Sequence, residues 1–205
     1  MKTIISLLVL AASTCWWTLI FATEGETSYS QICASCHGEK AEGNDNLGSP
    51  ALAAQNSEYI VRQLSNYNSG LRGTHSDDTF GQQMSAMAKT VADPASQQKI
   101  ADFLSTLVPV KVPLSEGDTK NGFKYYQSCG SCHGAKAQGN PALSSPRLAG
   151  LSTAYLARQY QHFNAGLRGT HTDDRYGRQM KMMAGTLPDE ATLKDVLAYI
   201  SSITQ

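Results

Sequence analysis

The chain has 205 residues, 41% of them hydrophobic and 17% charged, and its 17 Lys+Arg balance 17 Asp+Glu. That composition excludes a disordered, collagen-like or polytopic membrane protein, and the zero net charge gives no global case for nucleic-acid binding. The length suits one large domain or two small ones.

The first element is an apolar run from about Ile4 to Ala22, preceded by Lys2 and followed at once by Thr23, Glu24, Gly25 and Glu26. One positive charge, an apolar stretch and an abrupt polar start describe an export signal over residues 1–22. The run is nearly long enough to span a membrane, and Ile20-Phe21-Ala22 is a poor cleavage site, so an uncleaved anchor stays open. Cys15 lies inside the run with Trp16 to Phe21 behind it, which argues against lipid attachment.

Beyond the leader the chain matches itself at an offset of 96 residues. Cys33-Ala-Ser-Cys36-His37-Gly38 meets Cys129-Gly-Ser-Cys132-His133-Gly134, and Gly70-Leu-Arg-Gly-Thr-His75 meets Gly166-Leu-Arg-Gly-Thr-His171. About 36 of roughly 78 aligned positions are identical, which marks two domains rather than a solenoid of shorter repeats. The boundaries fall at 23–108 and 116–205, with a linker over 109–115 that the stiff extended segment Val108-Pro-Val-Lys-Val-Pro113 leads into.

Each copy reads as short helices separated by irregular loops, with no convincing alternating strand. Helices are predicted over Thr27–Cys33 and Glu116–Cys129, leading into the cysteine pairs. Loops rich in Gly, Asn, Ser and Pro follow over 38–50 and 134–146. Second helices run over Ser57–Ser69 and Thr153–Ala165, closed by Gly70 and Gly166. The last helices start at Asp93-Pro94 and Asp189-Glu190. Their apolar faces repeat as Ile100, Phe103, Leu104 and Leu107, and as Val196, Tyr199, Ile200 and Ile203. So much loop leaves few apolar side chains for a core, and a large flat apolar cofactor would fill it.

Cys-x-x-Cys-His is the attachment signature of c-type haem. Its two thiols sit on one helical turn and can form thioethers to the two vinyl groups, and the adjacent imidazole can reach the iron. Two in-register copies predict two covalently bound haem c groups on Cys33, Cys36, Cys129 and Cys132, with His37 and His133 as proximal ligands. A four-cysteine zinc site would place its pairs far closer together, a thioredoxin-like motif would need a βαβ context, and structural disulfides would not require the histidines. For the sixth ligand each copy offers a methionine pair at the same offset, Met84 and Met87 or Met180 and Met183, expected in a loop before the last helix. His75 and His171 compete, but they sit in polar, surface-like sequence.

These residues carry a resemblance. The unit resembles a class I cytochrome c: Cys-x-x-Cys-His, a loop proline, then a methionine before a C-terminal helix. The whole chain after the leader resembles the dihaem cytochrome c4 family. It shares the tandem units, Ser-Pro-x-Leu-Ala at 49–53 and 145–149, and Tyr-x-x-Arg-Gln at 59–63 and 155–159. The resemblance implies an all-α fold of two tandem class I cytochrome c-like domains related by pseudo-two-fold symmetry. Within each methionine pair it selects Met84 and Met180 as ligands, with Met87 and Met183 packing against haem. It gives the carbonyls of Pro50 and Pro146 the proximal imidazole N–H. Arg62, Gln63, Arg158 and Gln159 are placed at the haem propionates, at the domain interface, or at plain helix positions. The Arg-Gly-Thr-His-x-Asp-Asp stretch has no assigned role.

The resemblance implies a periplasmic carrier of single electrons, from a quinol-oxidising bc complex or a dehydrogenase to a terminal oxidase. It is not itself an enzyme. A haem subunit of a larger oxidoreductase, such as a flavocytochrome c sulfide dehydrogenase, is the alternative, and a dihaem peroxidase a more distant one. Residues 23–110 carry 5 Lys+Arg against 10 Asp+Glu, and residues 111–205 carry 11 against 7, so the halves stand at −5 and +4. Such a dipole suits electrostatic docking of redox protein partners. Membrane association would come through those partners or an uncleaved leader.

Overall fold

The computed structural model describes residues 22–203, so most of the expected leader, Cys15 included, lies outside the described residues. The first copy contains α1 (Glu24–Ile32), α2 (Ala34–His37), α3 (Ser57–Asn68), α4 (Thr79–Ala88) and α5 (Pro94–Thr106). The second contains α6 (Thr119–His133), α7 (Thr153–Ala165), α8 (Arg175–Ala184) and α9 (Glu190–Ser202). Among the described residues strand pairing is limited to two isolated bridges, Asn44 with Ser49 and Asn140 with Ser145. The fold is all-α, as expected.

Short polar side chains start the helices by accepting a backbone N–H that has no partner inside the helix. Asp93 accepts from Ser96 N at 2.8 Å and Asp189 from Thr192 N at 2.8 Å. Thr23 accepts from Glu26 N at 3.1 Å, so the first helix begins three residues before the predicted Thr27. Asp118 accepts from Lys120 N and Asn121 N, so the second lead-in begins at Thr119 instead of Glu116. The second lead-in runs further than predicted, so that α6 carries the whole Cys-x-x-Cys-His motif, whereas in the first copy α1 stops at Ile32 and α2 resumes after Cys33.

A second correction concerns the methionines. Met84 lies within α4 and Met180 within α8, where a loop was expected. Asp78 and Asp174 cause this, each accepting from the N–H of a glycine three residues on (Gly81 and Gly177) at 2.9 Å. Polar, glycine-containing sequence is thereby held helical from its first turn.

Each copy closes its first helix against its last. A Cβ at Gly25 would overlap the Lys99 carbonyl of α5, and one at Gly122 the Asp195 carbonyl of α9, so only glycine lets the helix backbones approach this closely. Tyr29 and Tyr126 are buried beside these crossings, and their hydroxyls donate to the carbonyls of Gly38 and Gly134 at 2.6 and 2.8 Å. Two apolar clusters result, one centred in each copy, the second also taking in Ala51 of the first, and Val110 of the connecting segment packs against both.

Candidate functional site

Each copy encloses a cavity lined by its own motif. The first, about 360 Å³, is lined by Cys33, Cys36, His37, Pro50, Met84 and Met87. The second, about 250 Å³, is lined by Cys129, Cys132, His133, Pro146, Met180 and Met183. The expected anchors and ligands of each copy therefore converge on one space, although they span some fifty residues of sequence. None of the four cysteines is joined in a disulfide, which leaves their sulfurs for thioethers, and burial followed by the Cys36 charge pushes the Cys33 thiol up to about 11.

The histidines are oriented from behind. His37 Nδ1 lies 2.9 Å from the Pro50 carbonyl, and His133 Nδ1 lies 2.9 Å from the Pro146 carbonyl. A carbonyl only accepts, so Nδ1 carries the proton and Nε2 keeps its lone pair. Burial, only partly opposed by the carbonyl, lowers both imidazoles below the ordinary 6.5, which favours the neutral ring that a metal needs. Within the methionine pairs, Met84 packs against the core of its copy, while Met87 and Met183 are 42% and 39% exposed. His75 and His171 are exposed and line neither cavity.

The cavities stand back to back. Pro50, Leu52, Tyr59, Ile60, Gln63, Tyr155 and Gln159 line both, so one layer of side chains separates them. Contacts across that layer come in reciprocal pairs, the mark of an isologous interface. Arg62 donates to the Ser144 carbonyl at 2.7 Å and Arg158 to the Gly48 carbonyl at 2.6 Å. Arg72 donates to Gln63 at 2.7 Å and Gln159 at 3.1 Å, and Arg168 donates to Gln159 at 2.7 Å and Gln63 at 2.8 Å. Of the placements left open for Arg62, Gln63, Arg158 and Gln159, the structure puts all four at the domain interface. Arg72 and Arg168, the arginines of the Gly-Leu-Arg-Gly repeats, are buried at its centre and were left without a role by sequence reasoning.

Chain-wide comparison bears out what the paired motifs suggest. The cytochrome c family profile matches residues 22–108 and again 119–204. The chain belongs to the cytochrome c family. Among its relatives, cytochrome c4 of Azotobacter vinelandii is 26% identical over 84% of this chain and 83% of its own length. The thiosulfate dehydrogenase electron acceptor of Stutzerimonas stutzeri is 25% identical over 91% of this chain and 85% of its own. The solved cytochrome c4 of Acidithiobacillus ferrooxidans superposes with a TM-score of 0.69 at 27% identity, over 84% of this chain and 99% of that one. The resemblance to the dihaem cytochromes c4 holds at the level of fold, domain pairing and cofactor. Two covalently bound haem c groups follow, and the chain is an electron-transfer protein of that type.

The residues present fit two haems. The cavity walls are mostly apolar side chains, as a porphyrin face needs. The Nε atoms of Arg62, Arg72, Arg158 and Arg168 are buried and meet no acceptor among the described residues. Arg72 and Arg158 line the first cavity, and Arg62 and Arg168 the second. Two orphaned cationic donors per cavity suit the two carboxylates each haem carries, since a buried donor without an acceptor is costly. One arginine of each pair comes from the other domain.

Proposed function

We propose that this cytochrome shuttles single electrons in the periplasm between respiratory redox proteins. The donor is a quinol-oxidising bc complex or a dehydrogenase, and the acceptor a terminal oxidase. In this reading Cys33, Cys36, Cys129 and Cys132 are the thioether anchors, His37 and His133 the proximal ligands, and Met84 and Met180 the distal ones. Bound haem supplies a one-electron iron couple. The chain's own residues hold each imidazole through a proline carbonyl and keep water out with apolar walls, and Met84 and Met180 would supply a thioether sulfur to the iron. With histidine and methionine both bound, the iron would have no open position for substrate, as a carrier needs and a peroxidase does not. The observation that carries the reading is the convergence of anchor, histidine and methionine on two cavities separated by one side-chain layer, the arrangement for passing electrons through the molecule.

A second reading has its own support. A relative of similar length is named as an electron acceptor of thiosulfate dehydrogenase, so service to one sulfur-oxidising dehydrogenase competes with a general shuttle role. Spectra of the exported holoprotein test both. Two low-spin c-type haems per chain, inert to carbon monoxide and reducible by a purified bc complex, support the shuttle. Reduction by thiosulfate dehydrogenase alone selects the second reading, and one haem that binds carbon monoxide readily sinks both.

A further inference from the structure

The duplication supplies an internal control for surface function, because each exposed position from Ser30 to Leu107 has a counterpart 96 residues on. Along α4 the positions Thr79, Gln82 and Ser85 are uncharged, and their counterparts on α8 are Arg175, Arg178 and Lys181. The three are exposed and recur every third residue, so they form a stripe along the helix. Next to them Met182 is 71% exposed where the first copy has Ala86. Over residues 75–87 the first copy carries two aspartates and no Lys or Arg, whereas 171–183 adds three cations to the same two aspartates.

Internal contacts account for little of the stripe, the ring contact being Arg175 at 5.7 Å from the centroid of its neighbour Tyr176. None of the three cations forms an ion pair with a carboxylate among the described residues. Arg178 donates to the Thr172 carbonyl at 2.9 Å, but Gln82 reaches the carbonyl of His75, one position away in the repeat, at 2.7 Å without a charge. Meanwhile the inner face of the same helix presents Met180 and Met183 to the second cavity. A molecule seated on the outer face therefore stands about one helix diameter, roughly 10–12 Å, from that cavity.

We propose that the outward face of α8 is the docking surface for an acidic electron-transfer protein, with Arg175, Arg178 and Lys181 as steering charges and Met182 as the apolar contact. This rests on the electron-carrier reading above. A soft, exposed methionine within a charged rim is a common make-up for a transient protein interface. An anionic membrane fits less well: recognition of that kind uses clusters of about 4–8 basic residues, and α8 has three with Asp173 close by.

The test uses the reduced dihaem protein and oxidised plastocyanin, an acidic copper protein, as probe. Each ferrous haem passes one electron to one copper(II), leaving ferric haem and copper(I). The variant R175T/R178Q/K181S carries the residues of the first copy. Its second-order rate at low ionic strength should fall about tenfold, with the gap closing as salt shortens the Debye length. The reciprocal variant T79R/Q82R/S85K should gain rate. Oxidation by the tripositive tris(phenanthroline)cobalt(III) should move the opposite way, faster in R175T/R178Q/K181S and slower in T79R/Q82R/S85K. An unchanged plastocyanin rate across the salt series overturns the docking surface, as does loss of binding to phosphatidylglycerol vesicles without loss of plastocyanin rate. If the unaltered protein gives electrons to neither oxidant, the carrier reading fails first.

Discussion

Across the domain boundary, His162 Nδ1 lies 3.5 Å from Asp78 Oδ1, and at the pseudo-equivalent place Asn66 Nδ2 donates to Asp174 Oδ1 at 3.5 Å. Both aspartates also cap the helix that carries their copy's methionine pair. The contacts match in geometry, but only one contains a titratable ring. Burial lowers His162 below the ordinary 6.5; Asp78 pulls it back up, while Arg158, Arg168 and Arg72 push it further down. Between the folded value and 6.5 the unfolded chain therefore binds the extra proton, and stability is lost as pH falls through that window. His162→Asn copies the other side of the interface and should remove this part of the pH dependence. Denaturant midpoints of the holoprotein above and below pH 6.5 measure it. Equal pH slopes in the two proteins would show that His162 does not titrate there.

Arg72 is a harsher target. Its guanidinium joins Gln63 of its own domain to Gln159 of the other, with the Tyr67 ring 4.6 Å from its carbon. Arg72→Ala removes charge-assisted hydrogen bonds in a buried place and should cost roughly 2–3 kcal/mol in denaturant unfolding of the holoprotein. Arg178→Ala, at an exposed position, should cost no more than about 0.5 kcal/mol. A comparable small loss at both sites would mean that the interface bears little of the stability.

Much of the site was legible because it is encoded locally. The Cys-x-x-Cys-His pentapeptides and the aspartates at the last-helix starts act through neighbours three or four residues away. Duplication then tested each reading inside a single chain. What sequence did not reveal is encoded at long range. Arg72 finds Gln159 some 87 residues away, across a boundary that no periodicity describes. Its one visible signal was an arginine recurring between two glycines in both copies. The methionine helices were missed for a different reason: Asp78 and Asp174 looked like surface acids, whereas each is buried and starts a helix.

The glycine crossings make a sharper test of fold than any core side chain. Gly25→Ala or Gly122→Ala drives a methyl group into the backbone carbonyl of the last helix, which cannot move aside as a flexible side chain would. Overpacking costs typically about 1–3 kcal/mol where side chains can adjust, and these backbone contacts should reach the upper end or beyond. The expected result is a lower thermal midpoint for the affected domain, followed by haem absorbance and far-ultraviolet circular dichroism. Gly185→Ala, where an added Cβ meets only Asn164 at 4.0 Å, is the matched control and should be nearly silent.

The assignment within each methionine pair yields the most direct measurement. Met84 packs inward while Met87, three residues on, is 42% exposed, and Met180 and Met183 line the second cavity together. Met84→Ala and Met180→Ala should each turn one of the two low-spin haems high-spin and open it to carbon monoxide. Shortening the side chain should also cost about 2–5 kcal/mol of stability. Met87→Ala and Met183→Ala should leave both haems low-spin and closed. The absorption spectrum and carbon monoxide uptake of the four variants decide it. If Met87→Ala opens a site and Met84→Ala does not, the ligand sits one helical turn later. In that case the partly exposed sulfur, not the packed one, sets the potential.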